Sequence, residues 1–476
     1  MRRLYVRCDA TLHGGVGHAM RGLAVAEAAI AAGWQVRFAG RIESPLVRGA
    51  LDAAGIGVEP VQDAPPALVA AAAAAEADVL HVDSYTEFPG LHDAARAAGV
   101  LLSSMEDGEW GRRPADVVVD GHPRALDDYR PESSGVEVLA GPAFLPLRAA
   151  IAAAAERPPA EPGPLRRVLV LMGGTDAFGA TDLVARLLAE LPSRPAVRAV
   201  GATPQEGIES VPAGSLLDLL DGVDLVVTAG GTSVWELAAL GVPMAVVQVT
   251  ENQAENRRYL VEHDLAQGLG TLEELRSGGL ASGVADALAD RSLAGERASR
   301  ARLLVDGRGA ARIVGAWEDR LGATGVTVRP ARAGDASALF DWRDDPATRA
   351  ASRSTGALEW TSHAAWVRAT LADPMRSLLI ARTEGAPAGT VRFDRLDEGS
   401  AEISITLAPS ARGRGLAQPV IAAAMAWLAA QPSPPRLVIA EMRPENGASQ
   451  RAFRAAGFTG DGAAGADGMV RLSAAL

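Results

Sequence analysis

Apolar positions in this chain fall into two alternating patterns. Short runs such as LYVRCDA (Leu4–Ala10), QVRFAG (Gln35–Gly40), DVLHVDSY (Asp78–Tyr85), VLLSSMED (Val100–Asp107) and DVVVDG (Asp116–Gly121) are apolar at most positions, as strands buried on both faces are. Alanine-rich stretches separate them. GHAMRGLAVAEAAIAAG is the clearest, and Gly33 predicts its stop. This alternation predicts a parallel sheet with helices on both faces. It breaks at ERPPAEPGP (Glu156–Pro164), whose four prolines exclude core helix or strand and mark a linker. It then restarts: RRVLVLMGG, a helix from about Thr181, AVRAVG, VDLVVTAGG, a helix from Ser233, and PMAVVQV. The expected fold class is α/β, with two Rossmann-like domains at residues 1–155 and 164–322. Ligands bind such folds beyond the carboxyl ends of the strands.

The pattern changes near Val326. TGVTVRPARAGDASALFDWRDDP predicts a strand, a turn and an amphipathic helix, and RSLLIARTEGAPAGTVRFDRL and SAEISITLAP predict antiparallel strands. ARGRGLAQPVIAAAMAWLAA predicts a loop and helix, and RLVIAEMRPENGASQRAFRAAGF a strand, a cap and a helix. Residues 326–476 therefore predict a third domain of α+β type.

Composition agrees with this division and excludes some functions. At ~150 residues per domain, 476 residues suit about three domains. A net charge of −12 argues against general nucleic-acid binding, which needs a basic face. Cys8 is the single cysteine, so neither an internal disulfide nor a thiolate zinc cluster is expected. LVAAAAAAEADVL carries Glu76 and Asp78 and predicts a helix leading into a strand, not a membrane span. The apolar run after MRRLYVRCDA is broken by Arg7 and Asp9 and does not read as a targeting segment. A cytoplasmic protein without membrane insertion is expected.

Three glycine-rich turns carry the candidate chemistry. After the first strand come Gly14, Gly15 and Gly17, which let backbone approach a ligand, and then His18 in the first turn of a helix. The positive helix end favours an anionic ligand, and a neutral imidazole beside it can accept a proton. The residues alone equally allow a capping His18 packed on the sheet edge; His13 lies in the loop and reads as solvated. Asp83 and Tyr85 end a strand, where a carboxylate could orient a histidine, hold a sugar hydroxyl or simply close an Asx turn. In the second domain, Gly173 and Gly174 follow one strand and Gly230 and Gly231 another. Thr232 or Ser233 is expected to cap the following helix, whose start suits a diphosphate. Glu236, one turn on, is placed to accept both hydroxyls of a ribose, and Asn252 and Gln253 reach the same rim. In the third domain, RGRGLA (Arg412–Ala417) would offer successive N–H groups to a pyrophosphate, with Arg412 and Arg414 adding charge.

The set Arg7, Asp9, Gly15, Gly17, His18 and Arg21, followed by Asp83 and Tyr85, Gly173–Asp176, Glu236, and Asn252 with Gln253, resembles the UDP-2,4-diacetamido-2,4,6-trideoxy-β-L-altropyranose hydrolases of pseudaminic acid biosynthesis. Their fold is similar to that of the two-domain (GT-B) glycosyltransferases of the peptidoglycan UDP-GlcNAc type. The likeness runs to about residue 320. It implies that His18 activates water against the anomeric carbon, releasing UDP with inversion and without a metal. Asp83 and Tyr85 would line the sugar site. Asp9, Gly15, Gly17, Arg21, Gly173, Gly174, the Gly230–Ser233 turn, Glu236, Asn252 and Gln253 would hold the UDP-sugar. Gly14 departs from the branched apolar residue usual there, and Glu106-Asp107 stand where the family has paired acids.

RGRGLA together with NGASQRAFRAAGF (Asn446–Phe458) resembles the GNAT acetyltransferases. WRDDPATR (342–349) and HAAW (363–366) look like the subgroup that acetylates amino-sugars or protein N-termini. The resemblance implies acetyl-CoA as donor, held by Leu407, Arg412, Gly413, Arg414, Gly415, Leu416, Ala417, Asn446 and Ser449. Glu402 is the candidate general base, with a solvated strand carboxylate as the competing reading. All four tyrosines (Tyr5, Tyr85, Tyr129 and Tyr259) lie outside this domain, so the tyrosine many such enzymes use to protonate the leaving thiolate is missing. The combined expectation is a bifunctional enzyme that N-acetylates a UDP-4-amino-sugar and hydrolyses the product, with other enzymes of the sugar pathway as partners. The alternatives are a GT-B glycosyltransferase for a surface or spore-coat polysaccharide, fused to an acetyltransferase, and a non-catalytic binder of nucleotide-sugar and CoA.

Overall fold

The computed structural model describes every residue except 12–15, 61–63, 107–112, 128–129, 131–134, 158–164, 174–175, 177, 282–283, 353–354, 461–464 and 466–467. Its strands form three sheets. The first holds β1 (Arg3–Cys8), β2 (Gln35–Ala39), β3 (Gly57–Glu59), β4 (Val79–Asp83), β5 (Leu101–Met105), β6 (Val117–Asp120) and β7 (Glu137–Ala140), in the order β3-β2-β1-β4-β5-β6-β7. The second holds β8 (Arg167–Leu171), β9 (Ala196–Val200), β10 (Ile208–Val211), β11 (Leu225–Ala229), β12 (Met244–Gln248) and β13 (Gln267–Thr271), in the order β10-β9-β8-β11-β12-β13. In both, the chain winds outward from its first strand, returns past it and winds the other way. That is the doubly wound order, whose reversal point is the ligand crevice. The registered pairs are parallel, as the continuous apolar runs require.

The first of the helices, Gly17–Ala31, stops where Gly33 takes φ +84°, as the glycine predicts. Helices begin at Ala180 and Ser233, as expected. The short strands β3, β7, β10 and β13 are additions that the pattern did not single out. Segments such as Gly57–Glu59 and Ile208–Val211 are too short and too polar to stand out as apolar runs.

The third sheet is mixed. It comprises β14 (Val326–Pro330), β15 (Arg376–Thr383), β16 (Ala386–Arg395), β17 (Ser400–Leu407), β18 (Leu437–Met442) and β19 (Val470–Ala475) in sequence order. The run β14 to β17 is antiparallel, β17 pairs parallel with β18, and β19 returns antiparallel. One face packs on the helices Ala417–Ala429 and Gly447–Ala455 through Leu379, Val391, Phe393, Ile403, Val420 and Phe453. The other packs on Ala336–Asp344 and Trp360–Ala372 through Leu378, Ile380, Trp342 and Val367.

By compactness the chain divides into two units. One comprises Met1–Gln62, Asp83–Tyr85 and Pro142–Arg312; the other comprises Asp63–Val82, Thr86–Gly141 and Ile313–Leu476. Within the second, the fully buried Glu137 carboxylate of β7 accepts Arg382 at 2.9 Å and lies 3.4 and 3.5 Å from Arg329 and Arg332. Such a group survives burial only because it is paired. Among the described residues no helix is long and apolar enough to cross a membrane.

Candidate active sites

The Gly17 helix opens without a side-chain cap; Val16 stands at the N-cap position. His18 therefore sits in a first turn that no side chain caps among the described residues. Its Nδ1 lies 2.5 Å from Oδ1 of Asp83, at the end of β4. Arg21, one turn along the same helix face, donates Nε to Asp83 Oδ2 and Nη2 to Oδ1, both at 3.0 Å. Its Nη2 is 3.2 Å from His18 Nδ1. Burial pushes the Asp83 carboxyl up, but the Arg21 guanidinium and the His18 imidazole outweigh it and hold the group well below the usual carboxylate range. A carboxylate facing Nδ1 assigns the proton to that nitrogen and leaves Nε2 as the acceptor. The Tyr85 ring, half exposed, stands edge-on to the imidazole with centroids 4.4 Å apart. Of the three readings open for Asp83, the geometry matches the one in which a carboxylate orients a histidine, the same pairing that orients the histidine of a Ser-His-Asp triad.

Asp9 is committed locally. Its Oδ2 accepts Arg7 at 2.9 Å and its Oδ1 the Arg41 N–H at 2.7 Å, so it ties the end of β1 to the turn after β2. Gly15, Gly174, His13 and Gly14 lie outside the described residues, as does Asp107. Glu106 is buried, and Gly173 takes φ +96°, a left-handed conformation that favours glycine.

The Ser233–Leu240 helix follows β11 through Gly230 and Gly231. It corrects one expectation: neither Thr232 nor Ser233 caps it, and its first turn has no side-chain hydrogen bond. A Cβ built on Gly17 would lie 3.7 Å from Thr232 Cγ2, so two uncapped helix starts meet here. Together they bring two positive helix ends to one spot, which suits a diphosphate, although the Val234 and Trp235 N–H groups already donate to the Gly231 and Thr232 carbonyls. Gly230 sits in a tight spot. A Cβ there would meet the Gln253 carbonyl oxygen at 3.1 Å, and the Gly230 carbonyl accepts Asn256 Nδ2 at 3.0 Å.

Glu236 lies one turn into this helix. Burial pushes its carboxyl up to about 7, with Arg148 pulling weakly the other way. Arg148 in turn donates Nε to Glu27 Oε1 at 2.8 Å, and the adjacent Ala149 N–H reaches Glu27 Oε2 at 2.7 Å. Arg148 and Asn256 went unremarked in the sequence; Arg148 stands in a stretch without a motif, and Asn256 lies three residues past the Asn252–Gln253 pair that drew the attention. Asn252 and Gln253 do follow β12, but part of their polar capacity closes their own turn. Gln253 Oε1 accepts the Val249 and Thr250 N–H groups at 2.9 and 3.3 Å, and Asn252 Oδ1 accepts Thr250 Oγ1 at 2.6 Å.

In the third sheet, pairing between β17 and β18 runs from Ser400–Leu437 to Ile403–Ala440, while β17 continues to Leu407 and β18 to Met442. The strands part beyond that point, and the backbone of Ser404–Leu407 becomes a template for an extended amide chain. Gly413 and Gly415 take φ +72° and +73°, with nothing within 4 Å of where a Cβ would stand. The loop leads through Leu416 into the Ala417 helix, again without a side-chain cap. This bare, glycine-lined helix start fits the pyrophosphate of coenzyme A.

Arg412 departs from its expected role. Its Nη1 pairs with Asp345 at 2.6 Å, its Nη2 donates to Thr348 Oγ1 at 2.7 Å and its Nε to the Leu407 carbonyl at 3.3 Å. Each of its three nitrogens thus has a partner within the chain, so it braces the loop, and Arg414 is the exposed charge there. Asn446 Oδ1 accepts the Ser449 N–H at 3.1 Å and caps the Gly447 helix. Glu402 lies directly across from Asp394 of β16, on the sheet face of the Ala336 helix.

Residues 326–459 match the family model described as acetyltransferase (GNAT) domain. The chain is similar to a UDP-N-acetylglucosamine–N-acetylmuramyl-(pentapeptide) pyrophosphoryl-undecaprenol N-acetylglucosamine transferase of Verminephrobacter eiseniae, 31% identical over 301 residues, covering 52% of this chain and 80% of that protein. Among solved structures it is similar to Acinetobacter baumannii MurG, with 16% identity, a TM-score of 0.47, and coverage of 67% of this chain and 99% of that one. It is also similar to an aminoglycoside acetyltransferase, AAC(6′)-Ib, in complex with coenzyme A, with 20% identity, a TM-score of 0.29, and coverage of 32% and 95%.

Proposed function

Since the chain belongs, ahead of its GNAT acetyltransferase domain, to the family of UDP-N-acetylglucosamine–N-acetylmuramyl-(pentapeptide) pyrophosphoryl-undecaprenol N-acetylglucosamine transferases, with their GT-B two-domain fold, we propose that it performs two successive steps on one nucleotide-sugar. The first is N-acetylation of a UDP-4-amino-sugar from acetyl-CoA. The second is hydrolysis of the resulting UDP-2,4-diacetamido-2,4,6-trideoxyhexose to UDP and free sugar.

The observation that carries the hydrolytic step is the His18–Asp83–Arg21 constellation, set where two helix starts meet. With the diphosphate on those helix starts and Glu236 on the ribose hydroxyls, the anomeric carbon would lie near His18. Nε2 takes a proton from water as its oxygen attacks that carbon. The bond from the anomeric carbon to the UDP oxygen breaks, its electron pair leaves with UDP, and the configuration inverts. Asp83 holds Nδ1–H and stabilises the imidazolium that forms. The leaving diphosphate's new charge falls on N–H groups already oriented toward it, which costs no reorganisation.

In the acetyltransferase domain, the bare loop Arg412–Ala417 and the parted strands β17 and β18 would hold the pyrophosphate and pantetheine of acetyl-CoA, which supplies the acetyl thioester. Glu402 would take the proton of the acceptor amine as its nitrogen attacks the thioester carbon. With no tyrosine in this domain, water or another group would protonate the departing thiolate.

The relative's own reaction favours a second reading: transfer of the sugar to an acceptor hydroxyl instead of water, with His18 activating that hydroxyl. UDP release from UDP-2,4-diacetamido-trideoxyhexoses with no acceptor present separates the two. Sustained turnover supports hydrolysis. UDP release that appears only when an acceptor is added overturns it in favour of transfer.

A further inference from the structure

The first sheet ends at β7, and an edge strand normally leaves a row of backbone groups and much of its surface to water. All four residues of β7 are buried instead. The turn Ala333–Asp335, between β14 and the Ala336 helix of the third domain, lies against this edge. A Cβ built on Gly334 would stand 2.7 Å from the Val138 carbonyl oxygen and 3.1 Å from the Ala140 nitrogen, so only glycine lets the two backbones meet this closely. Asp335 holds the turn in shape. It accepts both Nη groups of Arg329 at 2.8 Å and the Arg332 N–H at 2.7 Å.

Charge closes the same contact. Arg382 of β15 donates Nη2 to Glu137 Oε2 at 2.9 Å, and Arg329 of β14 stands 3.4 Å from Oε1. Arg332 adds a third cation at 3.5 Å, and Asp319, 3.8 Å from Arg382, a further acid. Arg382 is 3% exposed, and Glu137 is the nearer of the two carboxylates that face it. Farther along, the Arg130 N–H donates to Ser337 Oγ at 3.0 Å and the Trp360 indole N–H to the Asp127 carbonyl at 2.8 Å. The partners in these bonds stand 207 to 245 positions apart in the chain. Domains that share only a linker meet through small, polar surfaces and move independently. A backbone seated on a backbone, and a carboxylate shared by three guanidiniums, each fit in one register only.

We propose that the third domain is the built-in cap of the first sheet: its Gly334 turn and the guanidiniums of Arg329 and Arg382 close the β7 edge, and β6 and β7 open only together with β14 and β15. The partner this edge fits is thus the acetyltransferase domain of the same chain, joined to it as one cooperative body. A ligand linkage follows. Whatever binds the third domain in its folded form stabilises every segment that opens with it, so coenzyme A at the start of the Ala417 helix slows the opening of β7. That consequence rests on the acetyltransferase reading above; the cap itself does not.

Hydrogen exchange of the full-length protein, read by mass spectrometry, tests this on peptides spanning β7, β15 and, as a control, β9 of the second sheet. Glu137→Gln should speed exchange in β7 and β15 alike, by about 100-fold, as loss of one member of a buried ion pair does, and leave β9 unchanged. Gly334→Ala, which touches no charge, should speed the same two. Arg382→Gln added to Glu137→Gln should restore part of the protection, because the guanidinium left without its carboxylate is then gone. A variant that loosens β7 while β15 keeps its protection, or that loosens neither, overturns the cap. If Glu137→Gln does not fold, Gly334→Ala and coenzyme A added to wild type decide. Coenzyme A that protects residues 412–417 and β7 together upholds the linkage; protection of 412–417 alone overturns it. No protection anywhere means that the acetyltransferase reading fails, and the variants still decide the cap.

Discussion

The turn after β1 and the turn after β11 occupy equivalent places in two sheets of the same winding. Both pass through glycine into a helix without a side-chain cap. They differ in what the first turn of that helix carries. After β1 it carries His18 and then Arg21, which share Asp83 so completely that the carboxylate stays ionised despite burial. After β11 it carries Glu236, which burial drives up to about 7 with only Arg148 opposing. Under the proposed function, the same backbone device serves reaction on one side and recognition on the other. What separates them is whether the buried acid has a close cationic partner.

Substitutions should widen or close that difference in a definite order. The largest effect belongs to His18→Ala, with kcat for UDP release expected to fall by about 100-fold to 1,000-fold and little change in KM, read by single-turnover kinetics. Asp83→Asn should come next, at about 100-fold in kcat, because the imidazole loses its orienting anion; a KM effect of equal size would instead mark a binding role. Glu236→Gln should act on the other side of the comparison, raising KM about tenfold with kcat nearly kept.

The pH dependence has a definite sign. If Glu236 accepts the ribose hydroxyls as proposed, it does so ionised, so wild-type KM should fall as pH rises through about 7, and the Gln variant should show no such slope. In the ligand-free protein the sign reverses. A folded-state value above the unfolded one favours the fold at low pH and loses that contribution as pH rises through about 7. Glu236→Gln should therefore raise Tm relative to wild type at pH 8 and not at pH 4. The smallest effect is expected from Arg148→Gln. Removing the opposing charge should move the midpoint of the KM profile upward and raise KM at neutral pH a few-fold; an unmoved midpoint would detach Arg148 from Glu236.

How much of this was legible in the sequence depends on the range of the interaction. Apolar runs and the Gly33 stop are local signals, and the two Rossmann-like sheets follow from them. The edge strands β3 and β10 are not legible, because segments this short acquire their conformation from a neighbour. The glycine turn marks His18, but His18 and Asp83 are 65 positions apart and no spacing rule joins them; a carboxylate that orients a histidine was one of three readings open for Asp83, and the family resemblance placed Asp83 on the sugar instead. Arg412 shows the opposite failure. A basic residue in a glycine-rich loop reads as a ligand contact until the fold brings Asp345 and Thr348 to it. Arg148 carried no signal at all, since its partners Glu27 and Glu236 belong to different helices.

Isotope labelling tests the central claim, that His18 directs water at the anomeric carbon, most directly. Turnover of a UDP-2,4-diacetamido-trideoxyhexose in ¹⁸O-water, without any acceptor, is followed by the mass of the UDP released. Attack at carbon leaves the bridging oxygen with UDP, so the account predicts unlabelled UDP, formed by wild type and lost in His18→Ala. UDP carrying ¹⁸O in its terminal phosphate, or release unchanged by the substitution, would contradict it.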